Sequence, residues 1–255
     1  MPVFTPKQLA EFNRDGFLIV RGLAPRELCE RMKVVARRHL ADETGPIEYE
    51  SRVQYPGSPD ALDVPGGSTV RRLLQACERD PLFRGWATSA EIAMRLQQRL
   101  GPYVNLSQVH HNCIMTKNPA FSSATGWHQD IRYWSFERPD LVSAWLALGP
   151  ERKDNGCLWV VPGSHKLDIT RERYDEALFF RDDCEENDKV LAARVAAELD
   201  AGDVLFFHCR TLHAAGRNLT GDTKFAAVFT YYAANNRPIP GTRSAALADI
   251  PLDVP

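Results

Sequence analysis

Residues 127–166 read WHQDIRYWSFERPDLVSAWLALGPERKDNGCLWVVPGSHK, and this stretch decides the fold. It holds two short apolar runs, at 141–148 and 157–161, with the turn sequence KDNG between them at 153–156. Apolar runs of about four to eight residues that are bounded by Gly, Pro, Asn and Asp favour β-strands. We therefore predict that the stretch forms short strands joined by turns.

The same pattern begins before this stretch and continues after it. Turn sequences such as AGD at 201–203 and TGD at 220–222 separate further β-rich runs. Many short strands at this spacing are typical of antiparallel sandwiches and barrels rather than of parallel βαβ units. The further runs are 103–117, 193–199, 203–208 and 225–233.

The N-terminal part is predicted to be mainly helical, apart from a short strand at 17–20. Thr5 begins a capping box ahead of the first helix, and a second helix follows Pro25. Thr88 and Glu91 form another capping box, which predicts that a third helix starts at Thr88.

Two segments are interpreted as irregular. The segment 41–70 is rich in Gly, Pro, Asp and Ser and is predicted to be a loop. The segment 168–190 carries many charges, and its acidic run at 182–188 indicates a solvated surface. The alternative for this second segment is a lid, because long insertions near sites often serve as lids.

The composition excludes several classes of protein. The 255 residues are 44% hydrophobic and 25% charged, which is typical of a globular domain and excludes disorder, collagen and a disulfide scaffold. A net charge of −2 predicts neither nucleic acid nor an anionic membrane as a partner. No apolar run is long enough to span a membrane, and the start MPVFTPKQLAEF lacks the blocks of a signal peptide, so a cytoplasmic location is expected. The 6 cysteines include no C-x-x-C pair and are expected to be free thiols.

A candidate metal site follows from the start of the first stretch. His128 and Asp130 are two residues apart, and on an extended backbone such side chains point the same way, so they can bind one ion together. His213, which follows the apolar run 203–208, is the best candidate for a third ligand. Two histidines and one carboxylate form the facial triad of non-haem Fe(II) oxygenases. The spacing alone also arises by chance, and packed or surface histidines are the alternative.

The stretch 127–166 resembles the phytanoyl-CoA dioxygenase (PhyH) family of Fe(II)/2-oxoglutarate oxygenases. The HQD-x-x-Y opening, the tryptophan in a buried strand, the NGCLW turn and the PGSHK ending carry the resemblance. The segment GDVLFFHCRTLHAAGRNLTGDTK at 202–224 is similar to the family's second metal-binding block, and DGFLIVRGL at 15–23 is similar to its opening. The resemblance covers most of residues 5–235.

The resemblance implies a mainly β fold with flanking helices around a double-stranded β-helix, the jelly-roll core of cupin-like proteins. Residues 1–255 would form one domain. Its parts would be a mainly helical N-terminal part (1–102), the jelly-roll core (103–235) and a C-terminal tail (236–255).

The resemblance also implies a non-haem Fe(II)- and 2-oxoglutarate-dependent dioxygenase. His128, Asp130 and His213 would bind the iron, with 2-oxoglutarate as cosubstrate and O₂ as oxidant. The reaction would hydroxylate an unactivated C–H bond and release succinate and CO₂. Asp130 argues against halogenation, because related halogenases have a small residue there so that chloride can bind the iron.

In this family a basic residue eleven positions after the distal histidine, usually arginine, pairs with the far carboxylate of 2-oxoglutarate. Here that residue is Lys224, which offers a point charge instead of the bidentate fork of arginine. Arg217 and Arg210 are near enough in sequence to take the role instead. The other residues expected near the cosubstrate, with exposure or core packing as the alternative, are Lys117, His111 and Trp145.

The substrate is the open part of the prediction, because a shared fold does not fix it. The substrate would be acyl- or CoA-like, a small carboxylated or phosphorylated molecule, or a secondary metabolite. If the strand continues past Asp130, Arg132 points to the same side as the ligands, and Tyr133 and Trp134 are its aromatic neighbours. Such a group suits an anionic substrate with a nonpolar body. A salt-bridged arginine at the mouth is the alternative.

Three other classes remain as rivals. A cupin-type enzyme that does not use 2-oxoglutarate is kept open by the lysine at position 224. A catalytically silent jelly-roll binding module would have no need to retain all three ligands. A zinc hydrolase needs a general base near a bound water, and the sequence has no obvious motif for one. The sequence does not report the oligomeric state.

Overall fold

The computed structural model describes residues 3–53, 55–181 and 183–252. Two antiparallel sheets form its core. The strands are β1 (Phe17–Val20), β2 (Ile47–Tyr49), β3 (Val70–Leu74), β4 (Val104–Leu106), β5 (Asn112–Lys117), β6 (Thr125–His128), β7 (Leu141–Ala147), β8 (Leu158–Val160), β9 (Val195–Ala197), β10 (Val204–His208), β11 (His213–Ala215), β12 (Lys224–Ala233) and β13 (Ile250–Pro251).

The larger sheet runs in the order β1-β10-β7-β12-β5-β3-β2, and β4 and β13 extend it beside β12. The smaller sheet runs in the order β6-β11-β8-β9. The helices are α1 (Pro6–Asp15), α2 (Arg26–Ala41), α3 (Glu50–Val53), α4 (Ala76–Arg79), α5 (Pro81–Ala87), α6 (Ala90–Leu100) and α7 (Glu185–Leu191). This mainly β architecture with flanking helices confirms the predicted fold class.

The central strands of the larger sheet are buried on both faces. In β10, Phe206 packs against the helices, whereas the next residue, Phe207, packs between the two sheets. The side chains of strand β12 alternate in the same way, with Phe229 packed against the helices and Val228 packed between the two sheets. Burial on both faces explains why these strands are continuous apolar runs. Truncating a fully buried phenylalanine to alanine costs about 3–5 kcal/mol of folding free energy.

The first helix begins as predicted. The hydroxyl of Thr5 accepts from the backbone N–H of Gln8, and the Gln8 side chain accepts from the Thr5 N–H. The start predicted for the third helix is wrong by one residue, because Ser89 caps α6. Thr88 belongs to the end of α5, where its hydroxyl donates to the carbonyl of Arg84.

Two further predictions about the chain need correction. The segment 41–70 is not only a loop, because it contains β2 and α3. Strands β1, β2 and β3 all join the larger sheet, so this sheet also uses residues from the part that the sequence predicts to be mainly helical. The run 103–117 is divided into β4 and β5 by a turn that includes His111. Across the described ranges, no helix is long and apolar enough to cross a membrane.

Candidate metal centre

Strand pairing brings the three predicted ligands together. His128 ends β6 and lies opposite His213, the first residue of β11. The chain then turns into a 3-10 helix, Asp130–Tyr133, which returns the Asp130 carboxylate to the two imidazoles. All three side chains are buried, and their donor atoms lie within 4.8 Å of one another.

The hydrogen bonds of the two imidazoles fix which ring nitrogen faces the site. Nδ1 of His128 lies 2.8 Å from the carbonyl oxygen of Gly126, and Nδ1 of His213 lies 3.0 Å from that of Thr211. A carbonyl oxygen only accepts, so each Nδ1 carries a proton, and in the neutral ring Nε2 then presents its lone pair to the site. Both Nε2 atoms are 3.6 Å from Oδ1 of Asp130.

The charges of the site suit a cation. Burial, together with the neighbouring His213, lowers the pKa of His128 to about 3, so this ring is neutral. Burial alone would raise the pKa of Asp130, but His111, His213 and His128 hold it well below its usual range. Neutral imidazoles and an ionised carboxylate are the protonation states that metal binding requires.

Asp130 provides a direct test of whether a metal fits. Its Oδ2 atom is buried and has no hydrogen-bond partner among the described residues. A buried carboxylate oxygen without a donor is costly, and a cation would satisfy it. The two nitrogen donors and one oxygen donor, without a sulfur, fit a divalent transition metal such as Fe(II).

A cavity of about 540 Å³ adjoins the ligands. Of the residues predicted for cosubstrate or substrate, the cavity lining includes Lys224, Lys117, His111, Trp145, Tyr133 and Trp134. It does not include Arg132, Arg210 or Arg217.

Lys224 is buried and already paired. Its Nζ donates to Oε2 of Glu151 at 2.7 Å, and Oε1 of Glu151 accepts from the indole N–H of Trp145, also at 2.7 Å. Glu151 is fully buried, so the ion pair is shielded from water. The Lys224 ammonium also lies 5.2 Å from the centre of the Trp145 ring.

Lys117 lies beside Lys224 on the neighbouring strand, because the two residues are register partners across β5 and β12. Its Nζ donates to the carbonyl oxygen of Ser123 at 3.2 Å. Burial, with a further contribution from the charge of Lys224, lowers the pKa of Lys117 to about 7. Gly156, at φ +77, leaves room for this side chain, because a Cβ there would lie 2.8 Å from Cδ of Lys117.

The predicted orientation of Arg132 is wrong. The strand ends at His128, so the alternation of side chains on which the prediction depended does not continue. The Arg132 guanidinium instead donates to the carbonyl oxygen of Leu178 at 2.8 Å and stacks over the ring of Phe179 at 3.9 Å. It thereby holds the segment that follows Tyr174 beside the ligands, where the Phe179 ring is 5.9 Å from that of His128.

The two arginines named as rivals of Lys224 are engaged outside the cavity. Arg210 donates to the carbonyl oxygen of Leu167 at 2.7 Å. Arg217 donates to the carbonyl oxygen of Ser122 at 3.1 Å and lies against Gly57.

His111 lines the cavity beside the Asp130 carboxylate. Its Nδ1 is 3.7 Å from Oδ2 of Asp130 and 3.2 Å from the hydroxyl oxygen of Ser143. Trp134 meets the imidazole edge to face, with 5.2 Å between the ring centres. Burial lowers the pKa of His111 to about 4, so the ring is neutral near pH 7.

Sequence reasoning missed three residues that shape the site. Arg72 and Arg243 line the cavity, and Glu151 neutralises Lys224. Arg72 belongs to the run VRRLL at 70–74, whose apolar residues could have predicted strand β3. Glu151 and Arg243 lie outside any strand, and no local pattern marks them.

The sandwich of two antiparallel sheets, with two histidines and a carboxylate meeting at one end of a cavity, defines a jelly-roll protein with a facial-triad metal site. The chain belongs to the phytanoyl-CoA dioxygenase family, because the family model described as Phytanoyl-CoA dioxygenase (PhyH) matches residues 12–226.

Two curated relatives and one solved structure illustrate the similarity. The human protein named "Phytanoyl-CoA dioxygenase, peroxisomal" is 28% identical over 229 residues, which cover 86% of this chain and 65% of the human protein. "Ectoine dioxygenase" of Halomonas elongata is 26% identical over 249 residues, covering 90% of this chain and 70% of that protein. A crystal structure titled as the epimerase SnoN in complex with Fe3+, alpha ketoglutarate and nogalamycin RO is 25% identical, with a TM-score of 0.73, and the match covers 97% of this chain and 95% of SnoN. The chain thus spans about 65% of the length of the human relative.

Proposed function

We propose that this chain is a non-haem Fe(II)- and 2-oxoglutarate-dependent dioxygenase that hydroxylates an unactivated C–H bond of a small organic substrate. The observation that carries the proposal is the orientation of the ligands. Nδ1 of His128 and Nδ1 of His213 each donate a hydrogen bond to a backbone carbonyl oxygen. The Nε2 atoms of both rings therefore face Oδ1 of Asp130. The relatives support it, since two are named dioxygenases and the SnoN crystal structure is of a complex with Fe3+ and alpha ketoglutarate.

His128, Asp130 and His213 would hold the iron. When bound with 2-oxoglutarate and O₂, the iron supplies the oxidation of the C–H bond, with release of succinate and CO₂. The carbonyls of Gly126 and Thr211 accept from the two Nδ1–H groups and so fix the tautomer and the orientation of the imidazoles.

The cosubstrate's far carboxylate would lie at Lys117 and Lys224. Because Glu151 already neutralises Lys224, the charge for the cosubstrate would come from Lys117, which has no carboxylate partner in the described part of the chain. An incoming carboxylate would favour the protonated form of Lys117. It would also accept from the ammonium N–H groups that the hydrogen bond to Ser123 does not use. Trp145 would serve as an apolar wall, because its N–H is bound to Glu151. His111 would steady the carboxylate of Asp130.

The experiment is an anaerobic titration of the metal-free protein with Fe(II) and then with 2-oxoglutarate. A visible metal-to-ligand charge-transfer band is expected in the wild type. The band should be absent in His128→Ala and retained in a matched control, His39→Ala, which removes a histidine of α2 that does not line the cavity. Iron binding without the band would favour a cupin-type enzyme that does not use 2-oxoglutarate. No iron binding would favour a silent binding module.

Turnover would then be measured as succinate release across a panel of small organic substrates. Cytoplasmic placement remains part of the proposal and is supported by the cysteines. All 6 are free in the structure, and 5 of them are buried, as suits a compartment that keeps thiols reduced.

A further inference from the structure

We infer that Arg72 and Arg243 form an anion site in the cavity, and that the substrate of this chain carries a carboxylate or phosphate group which binds there. The inference rests on the proposed function, because it identifies the class of substrate that the oxygenase would take. It replaces Arg132, which the sequence favours for this role, with two residues that line the cavity.

The ion pair of Arg72 uses only part of its guanidinium group. Its contact with a carboxylate is made through Nε, which lies 3.2 Å from Oε1 of Glu48. The same oxygen is 3.7 Å from Nε of Arg71, whose closer carboxylate partner is Glu50 at 3.1 Å. The terminal nitrogens of Arg72 make no hydrogen bond within residues 3–53, 55–181 and 183–252. By contrast, Arg71 donates to Glu50, Ser123 and Thr125.

Arg243 is brought to the cavity by the C-terminal tail. It begins the 3-10 helix Arg243–Ala245, in which the hydroxyl of Ser244 binds the N–H of Ser135 and Nε2 of His110, both at 2.8 Å. These bonds fix the position of the turn. In the described part of the chain, Arg243 has no ion pair.

The two arginines adjoin the same part of the cavity wall. Arg72 lies opposite Met115 across β3 and β5, and the turn that carries Arg243 is bound to His110 through Ser244. His111, the next residue along this wall, is 3.7 Å from Asp130. An anion held between the two arginines would therefore bring the adjoining part of a substrate close to the ligands.

This site is separate from the lysine pair. Arg72 lies opposite Met115 across β3 and β5, whereas Lys117, two residues further along β5, lies opposite Lys224 on β12. The cavity thus has one cationic region for each of two anionic molecules. Glu50 pairs with Arg71 and Glu48 with Arg72, so the positive charge that favours an anion here is that of Arg243, and Arg72 adds the N–H donors of its terminal nitrogens.

The wall of the cavity indicates the rest of the substrate. Leu74, Val109, Trp134 and Leu247 supply apolar surface to the cavity that the two arginines line. A volume of about 540 Å³ is typical of sites for small molecules, and part of it must hold the cosubstrate. The substrate class is therefore a small carboxylate or phosphate with a nonpolar body.

The test uses hexanoate and hexanamide, two probes of similar shape that differ in charge. Binding would be measured by calorimetry, with the protein kept saturated by Mn(II) and 2-oxoglutarate so that the lysine pair is occupied. Wild type is expected to bind hexanoate at least about tenfold more tightly than hexanamide, since charge-assisted bonds to arginine are strong. Arg72→Gln and Arg243→Gln should each reduce this preference to about threefold or less, with the Kd of 2-oxoglutarate within about twofold of wild type. Arg38→Gln, on the exposed surface of α2, is the matched control and should retain the preference.

Equal binding of the two probes by wild type would overturn the inference, as would an unchanged preference in both variants. Loss of hexanoate binding when 2-oxoglutarate is added would show that the probe had occupied the lysine pair, which also overturns the inference but leaves the proposed function intact. A wild type that binds no 2-oxoglutarate contradicts the proposed function instead, and hexanoate titrated alone into wild type and Arg243→Gln then still tests the anion site. Arg243 is exposed, so its variant decides the matter even if Arg72→Gln does not fold.

Discussion

Lys117 and Lys224 lie opposite each other on β5 and β12, yet among the described residues only Lys224 has a carboxylate partner, Glu151. Burial lowers the pKa of Lys117 to about 7, and repulsion from the neighbouring ammonium group of Lys224 adds to the effect. Lys224 completes a buried network with Glu151 and Trp145. Under the proposed function, Lys117 would bind the cosubstrate, and the two lysines together would take the place of the single arginine that the family resemblance implies.

This arrangement predicts a pH dependence of cosubstrate binding. Lys117 must be protonated to bind a carboxylate, and its pKa without ligand is about 7. Binding should therefore be strongest below pH 7 and weaken as the pH rises above it, approaching about tenfold per pH unit until the raised pKa of the complex is reached. The measurement is the Kd of 2-oxoglutarate from about pH 6 to pH 9. In Lys117→Met the binding should be weaker and nearly independent of pH, and a variant that keeps the wild-type profile would contradict the assignment.

The ion pair of Glu151 and Lys224 predicts a loss of stability when one partner is neutralised. Glu151→Gln leaves Lys224 charged, buried and without a carboxylate, so we expect the free energy of unfolding to fall by about 3 kcal/mol. Urea denaturation would measure the change. The double variant Glu151→Gln/Lys224→Met removes the stranded charge and should lose less than the sum of the two single variants. Additive losses would mean that the two side chains do not interact.

The parts of the site that sequence could predict are those fixed by local geometry. His128 and Asp130 are only two residues apart, so this pair of ligands could be found from the order of the residues. The buried strands could be found in the same way, because they are continuous apolar runs. Arg132 could not, because the turn after His128 is stabilised by contacts with residues far along the chain, such as Leu178. Strand β2 lies in a Gly- and Pro-rich segment and exists because β3 pairs with it. Glu151 is defined by its partners across the fold rather than by its neighbours in sequence.

The position of Arg132 predicts a role in ordering the chain around Phe179. Arg132→Ala removes the hydrogen bond to Leu178 and the stacking on Phe179, so the segment that follows Tyr174 should open more often. We expect hydrogen exchange of the backbone N–H of Phe180, which donates to Trp127, to become at least about tenfold faster. Arg181→Ala, which removes an exposed pair with Asp183, is the control and should have little effect. Unchanged exchange in Arg132→Ala would contradict this role.

Gly156, in the turn before β8, packs against the backbone of Gly216 and the side chain of Lys117. A Cβ at this position would lie 2.6 Å from the carbonyl oxygen of Gly216 and 2.8 Å from Cδ of Lys117, and the backbone has φ +77. Gly156→Ala should therefore displace Lys117 and strain the turn, weakening 2-oxoglutarate binding by about tenfold and lowering stability by about 1–3 kcal/mol. Calorimetry and urea denaturation would measure the two effects. Gly149→Ala introduces a Cβ with no neighbour within 4 Å and should change neither quantity appreciably.

The buried carboxylate of Asp130 predicts that a divalent metal stabilises the fold. A ligand that binds the native state but not the unfolded chain raises stability by mass action, by about 2.7 kcal/mol at a free concentration of 100 Kd. Anaerobic addition of Fe(II) to the chelator-treated protein should therefore raise its Tm. In Asp130→Asn the rise should be largely lost, because the amide is a weaker ligand and its N–H group opposes a cation, while the imidazoles of His128 and His213 remain. An equal rise in Tm in this variant would mean that the metal binds elsewhere, since Oδ1 of Asp130 is the atom that both Nε2 lone pairs face.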